Sequence, residues 1–237
     1  MKIKKNALLA TAVVAVGLSA APAVAQQQAA NGADEVKVTV GLKLWHTSWE
    51  TWGNPPGNTA QREFAGIPNI AVNYGDFFGS AGYFVKREYD FPGSLQVKRN
   101  EYDVNLGYWL LKGEAGGRLG VTVGYKRINQ WWHDPFFTDF KDKKNAIPFG
   151  FTASAPVGSG FYLYGNGAYG PANEKFLGTK IKGYFAAAEG GVAYPFMPNA
   201  AVTLGYKWQI TDMDLKGSSD RGRDTTNGFV LGVNYTF

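Results

Sequence analysis

Two histidines occur in the 237-residue chain, and each has a plausible partner beside it. His46 stands with Ser48 and Glu50, and His133 is followed by Asp134. An imidazole next to a hydroxyl or carboxylate has the makings of a general base for hydrolysis. Adjacency in sequence does not establish convergence in space, and neither histidine lies in a catalytic motif. Aromatic-rich segments that happen to contain histidine are the plainer account, so no enzyme activity is expected. There is no cysteine, and the histidines do not cluster at zinc-ligand spacing. "GSSDRGRD" (217–224) mixes acids with basic residues and lacks an EF-hand pattern. No metal or cofactor is expected.

A second set of chemical groups recurs at alternate positions opposite apolar runs: Lys37, Lys43, Lys86, Glu88, Asp103, Lys126, Glu189 and Lys207, with Asn73, Asn105, Asn166 and Gln209. Charges on one face of strands have two readings. They pair and fill an interior, because buried charge must be compensated, or they line a wet pore. Gly41, Gly107, Gly120, Gly124, Gly205 and Gly232 share that face and are expected to leave room.

The elements that carry these residues alternate at period two, as strands do. "EYDVNLGYWLLK" sets Tyr102, Val104, Leu106, Tyr108 and Leu110 against Asp103, Asn105, Gly107 and Trp109. "AVTLGYKWQI" sets Val202, Leu204, Tyr206, Trp208 and Ile210 against Thr203, Gly205, Lys207 and Gln209. Ten such segments follow Glu35, or eight if "PNIAVNYG" and "FYLYGNGAY" are not strands. Short connections at 76–79, 113–117, 157–160 and 196–199 alternate with long ones near 50–65, 91–100, 132–146, 170–181 and 214–226. The mature part lacks the run of roughly 18 apolar residues that a membrane helix needs. A chain with apolar faces on nearly every strand can then cross lipid only as a closed barrel.

Two positions strain this scheme. Arg87 falls on the outward face of the third segment, with Tyr83, Val85 and Tyr89, and Arg127 lies outward near a strand end. At the bilayer midplane such a charge costs about 2–4 kcal/mol. Snorkelling to the headgroups near the outer rim, a β-bulge, or a different register of the third segment would relieve the first conflict.

The start of the chain reads as an export signal. Lys2, Lys4 and Lys5 precede an apolar run from Ala7 to Leu18, and Ala23-Val24-Ala25 offers a cleavage site. Residues 1–25 are the expected signal peptide, 26–34 a polar lead, and 35–237 the barrel. Three lysines of the net +5 charge lie in that signal. With no basic stripe elsewhere, nucleic-acid binding is not expected. The long aromatic loops, with Lys141, Lys143 and Lys144, offer groups for lipid phosphates or a surface ligand.

The signal, the alternating strands and the terminal "VNYTF" together resemble the small outer-membrane β-barrel proteins of Gram-negative bacteria, the OmpA/OmpW-like group in the broad sense. The resemblance covers Glu35 to Phe237 and specifies location and fold rather than function. It implies short periplasmic turns, long extracellular loops and contact with outer-membrane lipid and lipopolysaccharide. It further implies that Val233, Tyr235 and Phe237 form an assembly signal read by the barrel-assembly machinery. The first expectation for function is an envelope-structural role or restricted passage of a small solute. A surface adhesin or ligand-binding barrel comes second, and a rim hydrolase, either a protease or a lipid-A-modifying enzyme, third.

Overall fold

The computed structural model describes residues 35–52, 58–113, 116–133, 139–176, 179–214 and 221–237. The expected signal peptide and polar lead lie outside these. Among the described residues the chain forms twelve antiparallel strands in one sheet. They are β1 (Lys37–Trp52), β2 (Asn58–Thr59), β3 (Glu63–Tyr74), β4 (Phe77–Asp90), β5 (Gln96–Lys112), β6 (Arg118–His133), β7 (Phe140–Ala146), β8 (Phe149–Gly158), β9 (Phe161–Phe176), β10 (Thr179–Met197), β11 (Ala200–Asp214) and β12 (Arg221–Thr236).

The sheet closes because β12 pairs with β1, in unbroken register from Thr39↔Thr236 to Trp52↔Arg223. The two-residue β2 lies off the path, against β1. β7 and β8 run end to end between β6 and β9 and share one place in the wall. The wall therefore has ten places. The break between β7 and β8 falls at Ile147-Pro148, where the proline has no N–H to give a ladder. Two bonds stitch it: Gly124 N–H donates to Pro148 O at 2.8 Å, and Ile147 N–H to Pro171 O at 3.1 Å.

An apolar belt circles the outside. Leu42, Leu44, Val104, Leu106, Val121, Val123, Leu204, Leu231 and Val233 are all exposed. Aromatic rings bound it. Tyr102, Tyr125, Tyr169 and Tyr206 mark one edge, and Tyr74, Phe77, Tyr108, Tyr194 and Tyr235 the other. Amphipathic rings suit a lipid–water interface. Val233, Tyr235 and Phe237 all point outward, and Phe237 N–H donates to Val38 O at 2.8 Å. The final residue is thus tied into the closing seam.

One end of the barrel carries tight turns, such as the one at Gly75-Asp76, where Gly75 takes φ 58°. Lys112 clips that turn, with Nζ donating to Gly75 O at 2.7 Å and lying 2.5 Å from Asp76. The hydrogen bond and charge of Lys112 hold the Asp76 carboxyl below its ordinary value. At the other end the long connections are built largely as continued strand. The expected loop at 132–146 contains β7, and 170–181 is mostly the hairpin of β9 and β10.

β4 contains a bulge, one of the ways to resolve the conflict at Arg87, and it corrects the expected directions of Tyr89, Lys86 and Glu88. The register against β5 shifts between Phe84 and Arg87. Beyond the shift Tyr89 turns inward and is fully buried, and Arg87 pairs opposite inward Arg99. Lys86 and Glu88, expected in the lumen, lie on the outer face instead. Lys86 sits over the Trp131 ring at 4.4 Å, and Glu88 pairs with Lys98 at 2.7 Å. One extra residue reverses every later side chain on a strand. In the otherwise cysteine-free protein, Lys86→Cys should react with a membrane-impermeant maleimide in the folded barrel, and Tyr89→Cys should not. The reverse labelling pattern would refute the bulge.

Candidate functional site: a filled lumen

The inward faces of ten strands converge on a space that ten strands barely open, since eight-stranded barrels are just filled by side chains. The glycines on those faces were expected to widen it. They do not, because neighbouring side chains lie over them. A Cβ at Gly41 would collide with Asn234, at Gly107 with Phe78, at Gly124 with Asn105, and at Gly205 with Tyr164. At three of the four, Gly41, Gly107 and Gly124, the covering side chain belongs to the residue directly opposite on the adjacent strand.

At the turn end the Phe78 and Trp109 rings pack 4.4 Å apart, with the Arg118 guanidinium 5.6 Å from the Trp109 centroid. Lys37 stands near this mouth, with Glu35 at 3.9 Å. Deeper, Thr39 and Thr236 share a 2.8 Å hydrogen bond across the seam, and Thr152 donates to Asn166 at 2.8 Å.

The middle holds the charges. Lys43 donates to Glu189 at 2.6 Å. Glu101 is the hub of the second group: it meets Arg99 at 2.6 Å and Lys126 at 2.5 Å, and accepts from Gln209 at 2.8 Å. Asp103 lies 3.8 Å from Lys126. Lys207 is cross-strand from Glu189 and sits 4.7 Å from the Trp45 centroid, where the ring face attracts its charge. All these charged groups are buried.

Toward the tall end the lumen divides. On one side an apolar cluster gathers Trp45, Trp49, Ile67, Phe84, Tyr89 and Phe91. Trp49 packs edge-on to Tyr89 at 5.2 Å and to Phe91 at 5.1 Å. The Tyr89 hydroxyl, which a wholly apolar site would strand, shares a 2.7 Å bond with Thr47. On the other side Lys144 is held by Asp224 and, at 3.3 Å, by Asp142, while Gln130 donates to Asp224 at 3.1 Å. Arg99 joins the two sides, donating to Thr226 at 2.8 Å and lying 4.8 Å from the Trp49 centroid.

Lys43, Asp103, Lys126, Glu189 and Lys207 therefore come together in the lumen, and Lys37 stands at its mouth. Lys144, expected to meet lipid phosphates, points inward. Sequence reasoning missed Arg99, Glu101, Asp142, Glu174 and Asp224. Glu101 is the first residue of "EYDVNLGYWLLK" and Arg99 lies one inward position before it, so both continue the alternation of Asp103 and the period-two signal was present.

The histidines do not enter this network. His46 is on the outer face, its ring stacked on Phe64 at 4.5 Å. His133 Nδ1 lies 2.7 Å from Asp139, with both side chains more than half exposed. Asp134 lies outside the described residues. Neither described histidine has a nucleophile and a second acid assembled around it, and no group of three potential metal ligands occurs among the described residues.

No family model matches the chain, and no curated protein matches it. Solved structures do. The outer membrane protease OmpT from Escherichia coli is similar at 17% identity, over 86% of this chain and 97% of that one, with a TM-score of 0.56. The translocator domain of the autotransporter NalP from Neisseria meningitidis is similar at 14% identity, over 91% and 93%, with a TM-score of 0.53. At these identities the likeness is one of fold. The chain is a small β-barrel of the outer-membrane type.

Removing one member of a buried ion pair leaves an uncompensated charge and costs about 3–5 kcal/mol. Glu101→Ala strands two cations and should destabilise the refolded barrel by that order, read as a lower urea midpoint. Glu101→Gln, which keeps an acceptor for Gln209, should cost less. Equal midpoints for wild type and Glu101→Ala would show that the hub is not stabilising.

Proposed function

We propose that this is an exported, non-conducting outer-membrane barrel with an envelope-structural role, holding a strand-built crown above the outer leaflet. The observation that carries this reading is the lumen. Aromatic, ionic and apolar layers fill it in succession, and its glycines are overlain by neighbouring side chains. The signal-like residues 1–25 and the outward Val233, Tyr235 and Phe237 support export and assembly in that membrane. No catalytic role is assigned to His46 or His133.

A surface-binding role is the second reading, and a specific feature favours it. An open pocket of about 380 Å³ lies at the tall end, lined by Lys98, Trp131, Trp132, His133, Phe140 and Lys141 among others. Trp132 and Phe140 stack there at 5.5 Å, nearly parallel. Flat rings beside two lysines suit a small aromatic or anionic surface ligand.

Single-channel recording in a planar bilayer tests the first reading. The folded wild type should be silent. Steady conductance whose ion selectivity shifts in Lys126→Glu or Lys207→Glu would overturn it and make the inward lysines a pore lining. Assembly is tested separately: deleting Phe237 should reduce the heat-modifiable barrel recovered from outer membranes, and undiminished recovery would remove the terminal signal from this account.

A further inference from the structure

The outer wall above the aromatic edge is not evenly charged. On β11 and β12 the cation Arg223 is neutralised, its guanidinium forking onto Asp212 at 2.6 and 2.9 Å. On β4 and β5, Lys98 is paired with Glu88. Across β7, β9 and β10 the situation differs. Lys144 pairs in register with Glu174, and both are buried on the inner face. The neighbouring positions, Lys143 on β7 and Lys175 on β9, therefore point outward. Lys175 is in turn directly opposite Lys180 on β10. Lys143 and Lys175 are the next positions beyond the last β7–β9 ladder pair, so with Lys180 three lysines lie in one row at the same level of the outer wall. All are exposed, whereas Lys182, one outward position below on β10, is directly opposite the exposed Asp214 on β11.

Like charges directly opposite each other on a sheet destabilise it. Among the described residues none of Lys143, Lys175 and Lys180 has a carboxylate within salt-bridge distance. The acids of the same strands, Asp142 and Glu174, are turned inward around Lys144. The row also has a fixed position. It climbs from Tyr169 and Tyr184, whose rings lie 5.6 Å apart at the upper edge of the apolar belt. Lysine stems reach several ångströms back toward such an edge.

We propose that Lys143, Lys175 and Lys180 form a docking surface for the phosphorylated headgroup of an outer-leaflet lipid. An anion carrying more than one phosphate offsets the repulsion within the row, which monovalent counterions screen only partly. Lipid is the occupant because the same strands carry the edge of the belt only two to three outward positions below, at Tyr184 and Tyr169. The inference depends on the barrel lying in a membrane whose outer leaflet carries phosphate, and not on whether the lumen conducts.

The refolded full-length barrel and the variant Lys143→Gln/Lys175→Gln/Lys180→Gln are titrated with bis-phosphorylated lipid A in detergent, and bound lipid is counted by native mass spectrometry. Juxtamembrane lysines add measurably to anionic-lipid affinity, so the variant should bind about tenfold or more weakly. Unfolding is followed in parallel. Without the lipid the variant should be as stable as wild type or more so, because a like-charge row is relieved. With the lipid only wild type should gain stability, since the ligand binds the folded state. Equal binding by wild type and variant would overturn the proposal. Equally strong retention of phosphatidylglycerol would reduce the surface to general charge attraction, and full competition by inorganic pyrophosphate would make it a site for soluble phosphate. Either result would refute a site for a multiply phosphorylated lipid headgroup. A variant unstable without lipid would assign the lysines a structural role instead.

Discussion

Hydrocarbon offers no partner to a backbone N–H or C=O, and everything else in this molecule follows from meeting that demand within the chain. The β1–β12 seam is where it is met. Fourteen successive register pairs join the first spanning strand to the last, and the last N–H of the chain still finds Val38 O. An open sheet of the same strands would expose two edges to lipid. Closure sets the number of places at ten, and ten places set the bore.

That narrow bore decides the interior. Charges placed there by alternation cannot keep bulk water, so they must find each other. Lys43 meets Glu189 across 146 residues of sequence, and Glu101 gathers Arg99 and Lys126. A missing partner in such a network is more costly than an absent network. The glycines follow the same logic. They are thin places in the wall over which Phe78, Asn105, Asn234 and Tyr164 lie, so small residues in the strands make the barrel fuller. Above the lipid, where water returns, the wall continues as paired strands with polar groups on both faces. The inner face keeps its acids around Lys144, and the outer face carries lysines.

The β-alternation was legible in the sequence because side-chain direction along a strand is a local property. Val104, Leu106, Tyr206 and Val233 face outward, and Asp103, Lys126 and Lys207 inward, as their spacing requires. The tall end was less legible. Residues 140–146 read as loop because "FKDKKNA" has no apolar face to alternate, yet hydrogen bonding to β6 and β9 makes them strand. Lys144 could not be told from Lys143 without knowing that parity. The β4 bulge was hinted at by Arg87 alone, and its place fixed Tyr89 inward and Lys86 and Glu88 outward.

The sequence by itself determined the alternating segments of the belt, most of their lipid-facing sides, the short-turn and long-connection ends and the aromatic terminus. These depend on residue type and period, which are present before folding. Only the tertiary structure decided which buried charges pair, that the glycines are covered, where the ladder slips by one residue, and that Lys143, Lys175 and Lys180 stand in one row. Those are relations between strands, set by register around a closed circuit, and a period within one strand carries no information about them.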